Sequence, residues 1–581
     1  MKKEITFKIG GQQGEGIDST GEVLAITLMQ QGFKIASYKH FSSRIKGGHT
    51  YYHIRASHQQ VYYPGDTTDI LIALDDESYE HNIGSMSPGG YVLLENSKEE
   101  KVEQKDGCTV IQVNFSKMAQ ELGNKIIRNM IALGSAVYLM GMDYKMFQPL
   151  VEKKFLRKGQ ALVDLNINAL KKGYEYIQNL GIPPFKVERP EPSEQALLTG
   201  NEAFAFGALA SGCRFLSAYP ITPASEIMEY MKANLPKVGG VAVQAEDELA
   251  GLLMAIGAGY AGVRSMTSTS GPGISLKTEA LGLAGMSETP VVIVNSQRGG
   301  PGTGLPTKYE QGDLNTMIYA GHGDIPRIVL APSTVEECIR MASMAFNLAE
   351  RYQCPVIVAL DLVLSLNKQT CPDFSPKMLE PIDRGKLLTE KELEELQEFN
   401  FKRYRLTEDG ISPRSIPGQR GGVHPANSNE HSETGHITEL PDIREAMMNK
   451  RMGKLKSFKM KGYEFIGGEE KPVQTLFIGF GSTRGVLEEV VRTLQDKGED
   501  VGLAQIKVLH PFQPEGLAEL AEKAEKIVVV ENNWSGQMAG LIAKELQVAH
   551  KIETIRKFDG NPFTLAEILN QYEQLLTKEV V

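Results

Sequence analysis

The sequence predicts an α/β protein built as three successive α/β domains, and three observations carry that prediction. Short apolar strands alternate with helical stretches along most of the chain, the pattern of mainly parallel sheets. Glycine is abundant, at 58 of 581 residues against the usual ~7%, as many strand-to-helix turns require. Pro183-Pro184 and Pro190-Glu-Pro192 mark a linker after the first domain. A polar, unpatterned stretch separates the second from the third. The expected divisions are 1–182, 193–373, 374–470 (a linker or wrapping segment) and 471–581.

In the first domain, residues 4–9 read as a strand. Gly10-Gly-Gln-Gln-Gly14-Glu-Gly16 breaks it before an apolar-periodic helix over 17–31. A glycine-rich turn feeding a helix offers backbone N–H groups to an anion. This spacing is not the Gly-x-Gly-x-x-Gly of dinucleotide folds, and a tight turn explains it equally well. Ser42-Ser-Arg44-Ile-Lys46-Gly-Gly48-His49 is a basic loop, in the plainest reading a solvated one, before a strand over 51–56. Strands over 70–74, 91–94 and 109–113 carry the domain to about residue 180.

The second domain opens with a helix over 200–211 and a strand over 214–218. Further strands over 241–243, 264–267, 291–295, 327–330 and 356–360 alternate with helices, which predicts a doubly wound, mainly parallel sheet. In such sheets functional loops sit at strand carboxyl ends, and 219–223, 268–273 and 296–304 fall there. Ala218-Tyr-Pro-Ile-Thr-Pro223 must turn out of its strand, because both prolines lack an N–H. Gln244-Ala-Glu246-Asp-Glu248-Leu-Ala-Gly251 places acids at the mouth of a helix over 249–260 that is apolar or small on every side and therefore expected to be buried. Acids favour helix N-termini, a reading that suits Asp247 and one of the glutamates.

Thr389-Glu-Lys-Glu392 has the capping-box pattern. Residues 401–449 lack periodicity and form either an extended connection or a surface wrapped on a partner. Their His424, His431 and His436 fit no zinc spacing and read as loop histidines. The third domain predicts strands over 474–478, 502–508 and 527–531. Gly479-Phe-Gly481-Ser-Thr-Arg-Gly485 reads as a structural turn rather than a phosphate cradle.

The composition, 41% hydrophobic and 23% charged with a net charge of -10, suits a soluble protein and argues against a nucleic-acid surface. No apolar run reaches the ~20 residues of a membrane span, and Met1-Lys-Lys leads directly into a strand, so the cytoplasm is the expected compartment. Five scattered cysteines include no Cys-x-x-Cys pair, which argues against a disulfide framework or a cluster held by this chain alone.

The Tyr219-to-Pro223 turn, the acidic helix mouth and Ser270-Gly-Pro-Gly273 together resemble the alpha subunit of the 2-oxoacid:ferredoxin oxidoreductases, which are thiamine-diphosphate and iron–sulfur enzymes. The first domain resembles the family's gamma domain, fused ahead. The third resembles its second alpha-subunit domain, akin to the transketolase carboxyl-terminal domain, which supports assembly rather than chemistry. The resemblance implies that the Tyr219-to-Pro223 turn lines the substrate site and that Ser270 and Gly271 face the cofactor. A glutamate bonds N1′ of the thiamine pyrimidine, and the family's Glu-x₄-Gly spacing selects Glu246, five residues before Gly251, over Glu248. Two residues is roughly 200° around a helix, so the two cannot do one job. A buried carboxyl with a raised pKa would share its proton there.

By the same resemblance Arg298 takes the 2-oxoacid carboxylate, with a fork suited to a bidentate bond, and Thr222 adds a hydroxyl hydrogen bond. The continuation Gly302-Thr-Gly-Leu-Pro-Thr-Lys308 is most similar to 2-oxoglutarate-type members, where Lys308 would meet the distal carboxylate. Gly11, Gly14, Arg44 and Lys46 are the implied holders of coenzyme A. No Gly-Asp-Gly occurs, and Asn532-Asn533 reads as a coincidence. The chain is therefore expected to carry the pyrimidine half of a thiamine site. A beta subunit would supply the diphosphate and magnesium site and the iron–sulfur cluster, in a heterodimer or dimer of heterodimers. The implied reaction converts 2-oxoglutarate and coenzyme A to succinyl-CoA, carbon dioxide and reduced ferredoxin. The rivals are a pyruvate, branched-chain or aryl 2-oxoacid enzyme, and a non-catalytic coenzyme A-binding scaffold.

Overall fold

The computed structural model describes residues 1–42, 47–96, 107–372, 374–396 and 401–578. They form three mixed α/β sheets distributed over two compact units. No helix among them is long and apolar enough to cross a membrane.

The first unit comprises Met1–Leu198, Asn367–Phe374 and Thr564–Ala566. Its eight-stranded sheet runs Cys108–Val113, Met86–Glu95, Thr68–Ala73, Glu4–Gln12, His49–Ser57, Lys34–His40, Gln369–Cys371, Ala196–Leu198. The first four are parallel and the rest antiparallel. The first strand does not stop at residue 9: Gly10 pairs with Tyr51 and Gly11 with Thr50. A Cβ on Gly10 would lie 2.9 Å from Ser78 Cβ, and one on Gly11 2.8 Å from Ile17 Cδ1. Those glycines serve close packing within a strand. The turn falls later, at Gly14 and Gly16, whose φ values of 93° and 85° favour glycine.

The second unit comprises Thr199–Leu366, Ser375–Phe563 and Glu567–Val581. Its larger sheet has the order Val508–His510, Ile328–Leu330, Pro355–Asp361, Val291–Gln297, Ser265–Thr269, Phe215–Ala218, Val241–Gln244. All are parallel except the first, which pairs antiparallel with Ile328–Leu330. The expected strand over 502–508 is thus divided. Val501–Ile506 lies in the five-stranded sheet, and Val508–His510 crosses to the larger one. Both sheets contribute to one core, including Val291, Ile357, Ile478 and Val529.

The segment after 400 is fastened to its own unit. Arg403 Nη2 donates to Glu288 O at 2.8 Å, and Lys450 and Lys454 bond the two Glu288 carboxylate oxygens at 2.6 and 2.7 Å, all buried. Burial alone would push the Glu288 carboxyl up, but Lys454 and then Lys450 more than reverse this and hold it well below the usual range. Gln353 Nε2 donates to Ser412 O at 2.6 Å, and Arg414 pairs with Glu350 at 2.7 Å. His424 and His431 bond nearby backbone carbonyls. No group of three or more potential metal ligands occurs among the described residues. The capping box at Thr389 and Glu392 forms, with both reciprocal bonds present.

Candidate active site

Four adjacent parallel strands bring the motif residues to one edge of the larger sheet. Val291–Gln297, Ser265–Thr269, Phe215–Ala218 and Val241–Gln244 lie side by side. Their carboxyl ends lead to Arg298, to Ser270 and Gly271, to Tyr219 through Pro223, and to Glu246. The chain leaves Phe215–Ala218 outward to the edge strand and returns on its other side, so a topological switch point lies here. Ala245 N donates to Ala218 O at 2.9 Å, which keeps the start of the acidic segment beside the start of the proline turn.

Arg298 ties two of these loops together. Its Nη1 donates to Thr222 O at 2.7 Å and its Nη2 to Thr303 O at 3.2 Å. Its Nε is buried without a partner. Burial pushes the guanidinium down from its usual value, with Asp313 opposing, but an arginine keeps its charge. An anion is the natural partner for the remaining donors.

Arg298 lines a cleft of about 710 Å³ together with Gly271, Thr303, Glu310, Asp313 and Trp534. Asn295 Nδ2 donates to Asp313 Oδ2 at 2.9 Å, and Asp313 N donates to Gln297 Oε1 at 3.1 Å. A Cβ on Gly271 would lie 2.8 Å from Asp313 Oδ1, so the carboxyl needs glycine at that position. Sequence reasoning missed Asp313, Asn295 and Glu310; an aspartate ahead of an apolar helix gives only the signal of a cap.

The third domain builds a wall of this cleft. Asn533 Nδ2 donates to Gln311 O at 3.1 Å, Gln537 Nε2 to Gly312 O at 2.8 Å, and Gln311 Nε2 to Phe480 O at 2.9 Å. Asn532 and Asn533 serve a structural role here, holding the loop that carries Asp313. Trp534, 70% exposed, stands at the rim. The Gly479-to-Gly485 segment is a structural turn, with Ser482 N donating to Asp361 Oδ2 at 2.8 Å.

The glutamate side differs from expectation. Glu246 is exposed in this chain, not buried. Asp247 caps the helix Glu248–Tyr260, accepting from Ala250 N at 2.7 Å, and Glu248 is its half-buried first residue. The helix is not buried all round. Leu252, Ala255 and Ile256 pack inward, but Leu249, Leu253 and Met254 are exposed, as is Leu276 nearby in sequence terms at 60%. Lys277, fully buried and unbonded, is pushed down to about 8 by burial, with Glu248 and Asp247 opposing. Ser270 Oγ is likewise buried without a partner. Tyr219 and Thr222 are exposed. Lys308 is not among the residues lining the cleft; it packs against Gly560 and feels Asp559.

In the first unit, Gly14, Gly16, Ser116, Lys125, Arg128 and Asn129 line a separate cavity of about 540 Å³. Gly11 lies in the strand before it. Arg44 and Lys46 lie outside the described residues.

These features gather the motif residues at the carboxyl ends of one parallel sheet, and comparison with known proteins supplies the class. Residues 206–450 match the thiamine diphosphate-binding domain of pyruvate flavodoxin/ferredoxin oxidoreductase. Residues 6–176 match pyruvate ferredoxin/flavodoxin oxidoreductase, and 474–568 match core domain II of pyruvate:ferredoxin oxidoreductase. The 2-oxoacid:ferredoxin oxidoreductase subunit alpha of Sulfolobus sp is 33% identical, over 97% of this chain and 96% of that one. The 2-oxoglutarate oxidoreductase subunit KorA of Mycobacterium tuberculosis is 30% identical, over 97% and 90%. A solved 2-oxoglutarate:ferredoxin oxidoreductase from Magnetococcus marinus, with 2-oxoglutarate, coenzyme A and succinyl-CoA bound, is 37% identical. It superposes with a TM-score of 0.92 over 99% of this chain and 100% of that one. The chain belongs to the 2-oxoacid:ferredoxin oxidoreductase alpha-subunit family.

Proposed function

We propose that this chain is the pyrimidine-activating and substrate-holding half of a 2-oxoglutarate:ferredoxin oxidoreductase, with the gamma domain fused to the alpha subunit. The observation that carries the reading is the single sheet edge that gathers Glu246, the proline turn, Ser270 and Arg298, with Arg298 bonded across to Thr222 O. The relatives of 2-oxoglutarate type support the choice of substrate.

The residues fit half of a thiamine diphosphate site. Glu246 is a carboxylate at a strand end, Ser270 Oγ is an unsatisfied buried group, and Gly271 leaves space beside Asp313. When bound, thiamine diphosphate supplies the nucleophilic carbon and the electron sink. Glu246 holds and returns a proton at N1′ of its pyrimidine. Arg298 binds the 2-oxoacid carboxylate through Nε–H and its remaining donors, and the Thr222 hydroxyl orients the substrate.

The diphosphate, its magnesium and the iron–sulfur cluster belong to a beta subunit. This partner covers the face of Leu249, Leu253 and Met254, where an apolar helix side otherwise meets water. Covering that face also takes Glu246 out of water, beside the pyrimidine it is proposed to hold. Coenzyme A is held by the first unit at the Gly14–Gly16 cavity, where a helix N-terminus and Lys125 face the space and Arg128 pairs with Glu15 at 2.6 Å on the same wall. Ferredoxin takes the electrons, and the enzyme works in the cytoplasm as a heterodimer or a dimer of heterodimers.

The test is to purify the chain with its partner subunit and follow viologen reduction with 2-oxoglutarate, pyruvate and branched-chain 2-oxoacids. Preference for 2-oxoglutarate is expected. Preference for another acid refutes the substrate, and no coenzyme A-dependent reduction with any acid refutes the catalytic reading.

A further inference from the structure

We infer that Asp313 carries a proton whenever the cleft is filled and donates a hydrogen bond through it to the anionic ligand held on Arg298, so that ligand and one proton bind together. The inference rests on the reading of this cleft as the 2-oxoacid pocket.

The charges facing the cleft do not balance. Among the described residues, one cation, Arg298, faces two carboxyls, Glu310 and Asp313. The helix Gly271–Leu276 contributes no titratable side chain to the lining, and neither does the stretch from Asn533 to Gln537. An incoming carboxylate makes three anions against one guanidinium in a partly dehydrated space. Coulomb repulsion is strong there, and taking up a proton is the direct relief.

Geometry selects Asp313 over Glu310. Asp313 Oδ2 already accepts from Asn295 Nδ2, while Oδ1 stands over Gly271 with no donor among the described residues. That oxygen can carry the proton and present an O–H to the cleft. Glu310 Oε2 accepts from Gly300 N at 3.3 Å, so each carboxyl takes one bond that favours its ionised form, but only Asp313 also feels the Arg298 charge that the ligand neutralises. Burial raises both carboxyls. At Asp313 the opposing influences are the Asn295 bond and the Arg298 charge, and a ligand that neutralises Arg298 removes the second. The arrangement also explains why Asn295 and Gln297, on a buried strand, are polar: they fix the carboxyl and its backbone N–H.

The experiment is calorimetric titration of the assembled enzyme with N-oxalylglycine, a dicarboxylate that resembles 2-oxoglutarate but cannot be decarboxylated. Heats are compared in buffers of different ionisation enthalpy at one near-neutral pH. The expected result is uptake of about one proton, with affinity falling up to roughly ten-fold per pH unit above neutrality. In Asp313→Asn the uptake should vanish and the affinity become flat with pH, while Glu310→Gln should keep both. Binding that needs Arg298 but takes up no proton, or uptake lost in Glu310→Gln, overturns the inference and leaves the pocket reading intact. Binding indifferent to Arg298→Ala overturns the pocket reading itself. Should Asp313→Asn fail to assemble, the wild type and Glu310→Gln decide between the two carboxyls.

Discussion

The two ends of the site edge are built in opposite ways. At the Arg298 end the chain supplies the framework itself and leaves only ligand-facing groups such as Arg298 Nε open. The guanidinium is held by two carbonyls, the neighbouring loop is pinned by Gln311, Asn533 and Gln537, and the cleft has walls from two sheets. At the Glu246 end the carboxylate is exposed and the helix behind it presents Leu249, Leu253 and Met254 outward. Under the proposed function, a finished pole and an open pole on one sheet edge suit an active site shared with a partner, with substrate recognition preformed and activation completed on assembly.

The largest expected effect tests the open pole directly. The chain alone should be colourless and show no 2-oxoacid-dependent viologen reduction, with activity and an iron spectrum appearing only with the partner. A coloured, active single chain would abolish the distinction between the poles. Next in size, Glu246→Gln should assemble but lose at least ~10²-fold in turnover, while Glu248→Gln loses far less; the reverse ranking would move the activating role along the helix. At the finished pole, Arg298→Ala should weaken use of the 2-oxoacid by ~2–5 kcal/mol, upward of roughly 30-fold, with thiamine binding intact. Unchanged steady-state constants would remove Arg298 from the pocket.

Smaller still, Leu253→Asp should leave the fold and the Arg298 cleft unchanged but weaken association with the partner by roughly ten-fold or more, read by sedimentation. Wild-type association would mean that this face is not the docking surface. The least effect on turnover is expected from Glu288→Gln, far from either pole in function. It strips two buried lysines of their counter-charge and should cost about 3–5 kcal/mol of stability, measured by denaturant unfolding. Because the Glu288 carboxyl is depressed in the folded state, its contribution is present above the ordinary carboxylate range and is lost only as pH falls toward strongly acidic values. Wild-type stability in this variant would show that the clamp is idle.

Much of the finished pole was legible in the sequence because proline and glycine punctuate it. Pro220 and Pro223 locate one loop, Ser270-Gly-Pro-Gly273 a second, and the strand ahead of Arg298 a third. The open pole was half legible. An apolar helix reads as buried whichever molecule buries it, so the sequence located the segment but not its exposure. Ala196–Leu198 and Gln369–Cys371 escaped because each is three residues long and they pair with each other across more than half the second domain. Val508–His510 escaped because only Lys507 separates it from a strand of another sheet. Asp313 was invisible because its meaning depends on Gly271, Asn295 and Arg298, which only the folded sheet brings around it.

One residue at the finished pole gives the chain an optical handle. Trp534 is the sole tryptophan in the sequence and stands solvated on the rim of the cleft, on a loop whose backbone is pinned by Glu531 and Asn533. Indole emission shifts to the blue when water is removed from the ring, and no second indole in this chain competes with it. Closure of the cleft rim, or arrival of anything that covers it, can therefore be followed in the unlabelled chain as a colour change from one ring.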